Sequence, residues 1–222
     1  MANKQADEVI VDVTEVYSKS EQFFENNKKT ITGIVTIAVL AFVGYFAYQM
    51  FVVKPKQIEA ANELFPVQVA FQNDSLNAVI EEGERVAEDY SSLGAGKLAS
   101  YYTAIAFRDN GQYEEALEQF KKVDFNDAAV GVLALGNVGD MHIELDNIEE
   151  GAKWLVKAAK KAENSMGEDI LAPVYYHKAA DAYLYLEDFN KAKSFYKTII
   201  DDYDGYSKLL KVKQQYYSLI KK

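Results

Sequence analysis

The chain has 222 residues, 49% of them hydrophobic and 26% charged, and a formal net charge of −10. That profile is globular and argues against a nucleic-acid partner, which a basic stripe would normally announce. Cysteine is absent, which removes disulfides, thiolate metal sites, a cysteine nucleophile and a lipoprotein anchor.

Residues 1–30 are predicted to form a short polar tail on the cytoplasmic side. VIVDV at 9–13 is almost the only strand-like alternation in the chain. SEQFFENNKK offers either a small amphipathic helix, with Phe23 and Phe24 on its apolar side, or an unstructured tail.

From Ile31 to Val53 run 23 residues without a charge, ITGIVTIAVLAFVGYFAYQMFVV. As a helix they would reach roughly 35 Å, enough to cross a hydrocarbon core of about 30 Å with some tilt. Lys28 and Lys29 bound one end, Lys54, Pro55 and Lys56 the other, and Tyr45, Tyr48 and Phe51 sit at the exit side. A soluble core helix would need a polar face, and a cleaved signal would end in small residues. The expectation is therefore an uncleaved transmembrane helix over 31–53. Three flanking lysines on the N-terminal side (Lys19, Lys28, Lys29) against two beyond the span lean towards a cytoplasmic N-terminus.

Residues 54–222 are predicted to be all-α and to repeat. GQYEEALEQFKKV at 111–123 returns as DNIEEGAKWLVKA at 146–158 and EDFNKAKSFYKTI at 187–199. In each, an aromatic or Ile (Tyr113, Ile148, Phe189) is followed after three residues by a small one, after seven by a large one and after ten by another apolar residue. Those offsets share one helix face. A preceding helix carries its own small residue, Ala104, Gly139 or Ala180, nine positions earlier, with Phe107, His142 or Tyr183 three residues further on.

This pattern resembles the tetratricopeptide repeat, a helical hairpin of about 34 residues with small and aromatic residues at set positions. Three units match at 97–125, 132–162 and 173–203, and a weaker one at 57–90 has Gly83 where a ring belongs. Ser100 and His142 depart from the pattern, as does the interruption at 164–169. The resemblance implies hairpins stacked into a superhelix, with a capping helix over 206–222. Laid on the sequence, the repeat template places Leu98, Tyr101, Ile105, Arg108, Leu133, Gly136, Asp140, Val174, His177, Asp181, Leu184 and Tyr185 in the concave groove. Such an apolar, aromatic and weakly acidic lining suits a hydrophobic segment or partner helix; the alternative is a groove that stays solvated while another surface binds.

Candidate chemistry does not assemble. LGAGKL at 93–98 has Ser91 and Leu98 where a phosphate loop needs Gly and Ser or Thr. DDYDGYSKLLKV puts Ile200 and Lys211 where a calcium loop needs acids. His142 fills a packing slot and His177 stands alone on the groove, so neither makes a metal pair. Asp140 and Asp181 are better explained as polar lining than as a catalytic carboxylate pair. The expectation is no enzyme, no cofactor and no metal.

An N-terminal tail, one span and a tetratricopeptide domain together resemble the ancillary subunit of the bacterial Sec translocon. The phrases AGKLASYYTAIAF, DNGQYEEALEQFKKV and ALGNVGDMHIELDNIEEGAKWLVKAAK look like its versions in Bacteroidota-type bacteria. That resemblance implies an inner-membrane protein with a periplasmic domain, partnered by Sec channel subunits, a membrane-anchored prolyl-isomerase-type chaperone and unfolded secretory chains. The rival expectations are a scaffold for another envelope complex, or a regulator of a soluble enzyme on the cytoplasmic side.

Overall fold

The computed structural model describes residues 13–124, 126–127, 130–165 and 167–220, with side chains from residue 21 to residue 219. The chain divides between Lys56 and Gln57 into two units. All regular structure among the described residues is helical.

The first unit holds helix α1, Val13–Tyr48, followed by a π-helical turn, Gln49–Val53. Helix therefore starts well before Ile31, so the expected tail is helical from Val13 onward; residues 9–12 of VIVDV lie outside the described residues. Nothing in the unit buries the apolar run: Ile37, Leu40, Phe42 and Phe51 are all exposed. The helical run Glu21–Gln72 contains a window of mean hydropathy 2.0, none of it buried. It is long and apolar enough to cross a membrane.

The second unit is a series of hairpins: α2 (Lys54–Gln72, in this unit from Gln57 on) with α3 (Leu76–Asp89), α4 (Gly94–Asp109) with α5 (Tyr113–Lys122), α6 (Val130–Glu144) with α7 (Ile148–Ala162), and α8 (Glu168–Tyr185) with α9 (Phe189–Asp202). Each hairpin turns by the same device. Asp74, Gly111, Asp146 and Glu187 adopt left-handed φ of 53, 77, 61 and 60°. The following amide then reaches back five residues: Ser75 to the Ala70 carbonyl (2.9 Å), Gln112 to Phe107 (2.9 Å), Asn147 to His142 (2.8 Å) and Asp188 to Tyr183 (2.9 Å). These are Schellman closures, which satisfy helix-end carbonyls that would otherwise lack donors.

Small residues set how near the two helices of a pair lie. The buried pairs Ala104 with Ala116 and Ala180 with Ala192 fall at matched positions, and the middle hairpin uses Gly139 and Gly151. A Cβ on Gly151 would stand 2.7 Å from the Gly139 carbonyl oxygen, closer than side chains tolerate. Large residues fill the space beside these contacts: Phe120, Leu155 and Tyr196, at one repeat position, are each 0–1% exposed. Full burial of such a side chain is worth about 1.5–3 kcal/mol.

The structure places two further segments. Gly94 opens α4 and Gly96 packs on the Tyr90 backbone, with no room for a Cβ beside the Tyr90 carbonyl, so LGAGKL is a helix start pressed against the end of α3. The apolar run from 206, expected as one capping helix, is two: α10 (Asp204–Leu209) and α11 (Val212–Ile220). Lys211 takes a φ of 54°, which ends α10 and lets α11 fold back to bury Val212 and Leu219 in the core that holds Tyr196 and Ile199.

Candidate functional site

The candidate groove is built from the first helices of successive hairpins, α4, α6 and α8. Leu98, Tyr101, Ile105 and Arg108 line it from α4, all half-buried. From α6 come half-buried Leu133 and Asp140; from α8 come half-buried Val174 and Leu184 with exposed Asp181 and Tyr185.

Two of the sequence-predicted groove residues are closed off. Gly136 is buried because the Tyr175 ring lies over it; an added Cβ would fall 2.1 Å from Tyr175 Cε1. His177 is 9% exposed, because α10 covers it. Its ring stands edge-on to Tyr196 and Tyr206 at 5.7 and 5.8 Å, and its Nδ1 lies 3.1 Å from the Tyr206 hydroxyl. A template carries the spacing of the repeats but not what the capping segment covers, so His177 looked open in sequence.

Polar contacts join neighbouring first helices rung by rung. Arg108 Nη1 donates to Asn137 Oδ1 at 2.9 Å, tying α4 to α6. Lys178 Nζ donates to Asp140 Oδ2 at 2.7 Å, tying α6 to α8. His177 and Tyr206 tie α8 to α10. Asp181 accepts from the Tyr196 hydroxyl at 2.5 Å, and its other oxygen is 3.9 Å from His177 Nε2. Asp140 and Asp181 thus each have their own partners.

The electrostatics follow from burial. Tyr175 and Tyr196 have hydroxyls pushed up from the ordinary phenol range, Tyr175 by burial and then Asp140, Tyr196 by burial and then its bond to Asp181. Tyr206 is pushed up to about 12, by burial and then by Asp181. All three stay neutral at ordinary pH and act as hydrogen-bonding rings. His142, outside the groove, is half-buried with an unpartnered Nδ1, and burial followed by the Lys121 charge lowers its pKa.

Asn137, Lys178, Tyr175 and Tyr206 were missing from the sequence-predicted set. Asn137 and Lys178 are separated by the same shift as Asp140 and Asp181, so the repeat register held a signal for them. Tyr175 and Tyr206 gave none, since their roles depend on what packs across from them.

The tetratricopeptide repeat-like domain profile matches residues 21–217. The chain belongs to that family. No curated protein matches it significantly. Domains of this family are typically non-catalytic scaffolds, which suggests protein–protein interaction. The candidate lining, apolar and tyrosine side chains with Arg108, Asp140 and Asp181 each hydrogen-bonded along it, offers contact area and hydrogen-bonding tips more than free charge.

Proposed function

We propose that the protein is a membrane-anchored scaffold acting as an ancillary subunit of the Sec translocation channel. Its N-terminus is cytoplasmic and its tetratricopeptide domain periplasmic. The groove along α4, α6 and α8 docks a membrane-anchored prolyl-isomerase-type chaperone or emerging secretory chains, and catalyses nothing. What carries this reading is the joining, on one chain, of the uncharged segment 31–53 to a tetratricopeptide-type domain. The resemblance of phrases such as AGKLASYYTAIAF to the translocon subunit supplies the finer detail.

Two measurements test it. Alkaline phosphatase fused after Lys222 is active if the domain is periplasmic; an inactive fusion with an active cytoplasmic reporter sinks the placement and favours a regulator on the other side. Affinity purification in mild detergent recovers channel subunits with a prolyl-isomerase-type chaperone. Recovery of other envelope complexes alone would reassign the scaffold.

A further inference from the structure

The outer face of α2 lacks a neighbour among the described residues of its own unit, and the repeat register says what kind of neighbour it takes. Ile58, Phe65 and Val69 are 63, 63 and 39% exposed along one stripe of the helix. Counting from the left-handed turn residues Asp74, Gly111, Asp146 and Glu187 aligns the first helices of the four hairpins. Val69 then corresponds to Ala106, Met141 and Ala182, which are 0, 2 and 6% exposed.

Each of those counterparts packs on the hairpin before it. Ala106 shares a core with Ala60, Val67 and Val86, and Met141 shares one with Phe107 and Phe120. Ala182 belongs to the cluster that contains Leu135 and Leu155. The Phe65 column behaves the same way: the Tyr102 ring packs tilted against Phe71 with centroids 4.9 Å apart, Asn137 accepts from Arg108, and Lys178 donates to Asp140. The stripe on α2 is thus the stacking face of a hairpin, left without the hairpin that covers it three times further along the chain. Repeat arrays ordinarily close such an end with a polar outer surface. Here it is apolar.

Charge narrows the occupant. Of the exposed residues beside the stripe, Ala61, Asn62 and Gln72 are uncharged and Lys54, one turn before Ile58, places a cation at its end, while the acids of α2 turn towards α3. Glu63 accepts from Arg85 at 2.6 Å and Glu59 from the Tyr90 hydroxyl at 3.1 Å. Two copies of a chain with net charge −10 repel each other over most of their surfaces. Through this face they meet without facing acids, Lys54 standing at the end of the stripe, and one isologous contact covers both unfilled stripes at once.

We propose that α2 is a homodimerisation face, on which Ile58, Phe65 and Val69 of one copy pack against the same stripe of a second copy.

The chain has no cysteine, so single-cysteine variants report contacts cleanly. Asn62→Cys, Phe65→Cys, Val69→Cys and a control, Lys153→Cys on the exposed side of α7, are oxidised as full chains in their native membranes. A disulfide needs the two Cα atoms within about 7 Å. The expected result is a band at twice the 25.0 kDa chain mass for at least one stripe position and none for the control. Phe65→Glu, at an exposed site, abolishes the cross-link formed by the positive stripe cysteine while leaving the helical spectrum unchanged. Stripe cysteines that give no disulfide, or disulfides only to another protein, overturn the proposal. So does a control that links as readily as the stripe. If Phe65→Glu does not fold, the cysteine series decides alone. Dimerisation can fail while channel subunits are still recovered, so this outcome is separable from the scaffold reading.

Discussion

Replacing Gly151 by Ala tests the packing of the repeat at its tightest point. The new Cβ would lie 2.6 Å from Ile143 Cγ1 and 2.7 Å from the Gly139 carbonyl oxygen. The Ile143 methylene can rotate away, but the carbonyl belongs to α6 itself, so α6 and α7 must separate by several tenths of an ångström. Overpacking of this kind costs about 1–3 kcal/mol. Against it stands the better helix propensity of Ala, worth about 1 kcal/mol. The net loss is about 0–2 kcal/mol, which in a domain of this size lowers Tm by up to roughly 8 °C. Thermal unfolding of the full chain in mild detergent, followed by circular dichroism, measures it. Gly205→Ala is the reference, because nothing lies within 4 Å of a Cβ there and the propensity gain stands alone. Gly139→Ala should fall between the two, since its Cβ would stand 3.0 Å from the facing Gly151 carbonyl oxygen, less close than the 2.7 Å at Gly151, though 2.8 Å from Leu155 Cγ. A Gly151→Ala protein that melts above the native one, by as much as Gly205→Ala does, would refute the close-approach reasoning.

Glu187→Gly should stabilise, because Glu187 holds a left-handed φ of 60° at the turn between α8 and α9. Releasing that strain is worth about 1–2 kcal/mol, partly offset by the looser unfolded chain, so a rise of a few degrees in Tm is expected; Glu187→Ala should give none. His142→Phe should flatten the acid side of the pH–stability profile. Burial, and then Lys121, depress the folded pKa of His142 below its unfolded value, so the unfolded state binds the proton more readily. Stability is then full above about pH 6.5 and falls as the pH drops below it, until both states are protonated. Urea titrations of both proteins at a series of pH values check this, and identical slopes would remove His142 as the cause. Tyr176→Phe should cost on the order of 1 kcal/mol by deleting the 2.5 Å bond from its hydroxyl to Glu163. A midpoint unchanged in urea would count against that bond's contribution.

The sequence by itself determined the helical class, the uncharged segment at 31–53 and the matched small and large positions of the repeats. These follow from periodicity and side-chain size, which are local properties: a residue three or seven places along a helix shares a face whatever else the chain does. Ala116, Leu155 and Tyr196 were legible as core on that ground alone. Tertiary structure decided what lies across from each face. His177 looks like groove lining until α10 covers it, Gly136 until the Tyr175 ring lies upon it, and the run from 206 reads as one helix until Lys211 turns left-handed. The same Asp74, Asp146 and Glu187 carry no glycine to announce their φ. Burial and turn geometry depend on which distant segment arrives, and a one-dimensional pattern does not encode that arrival.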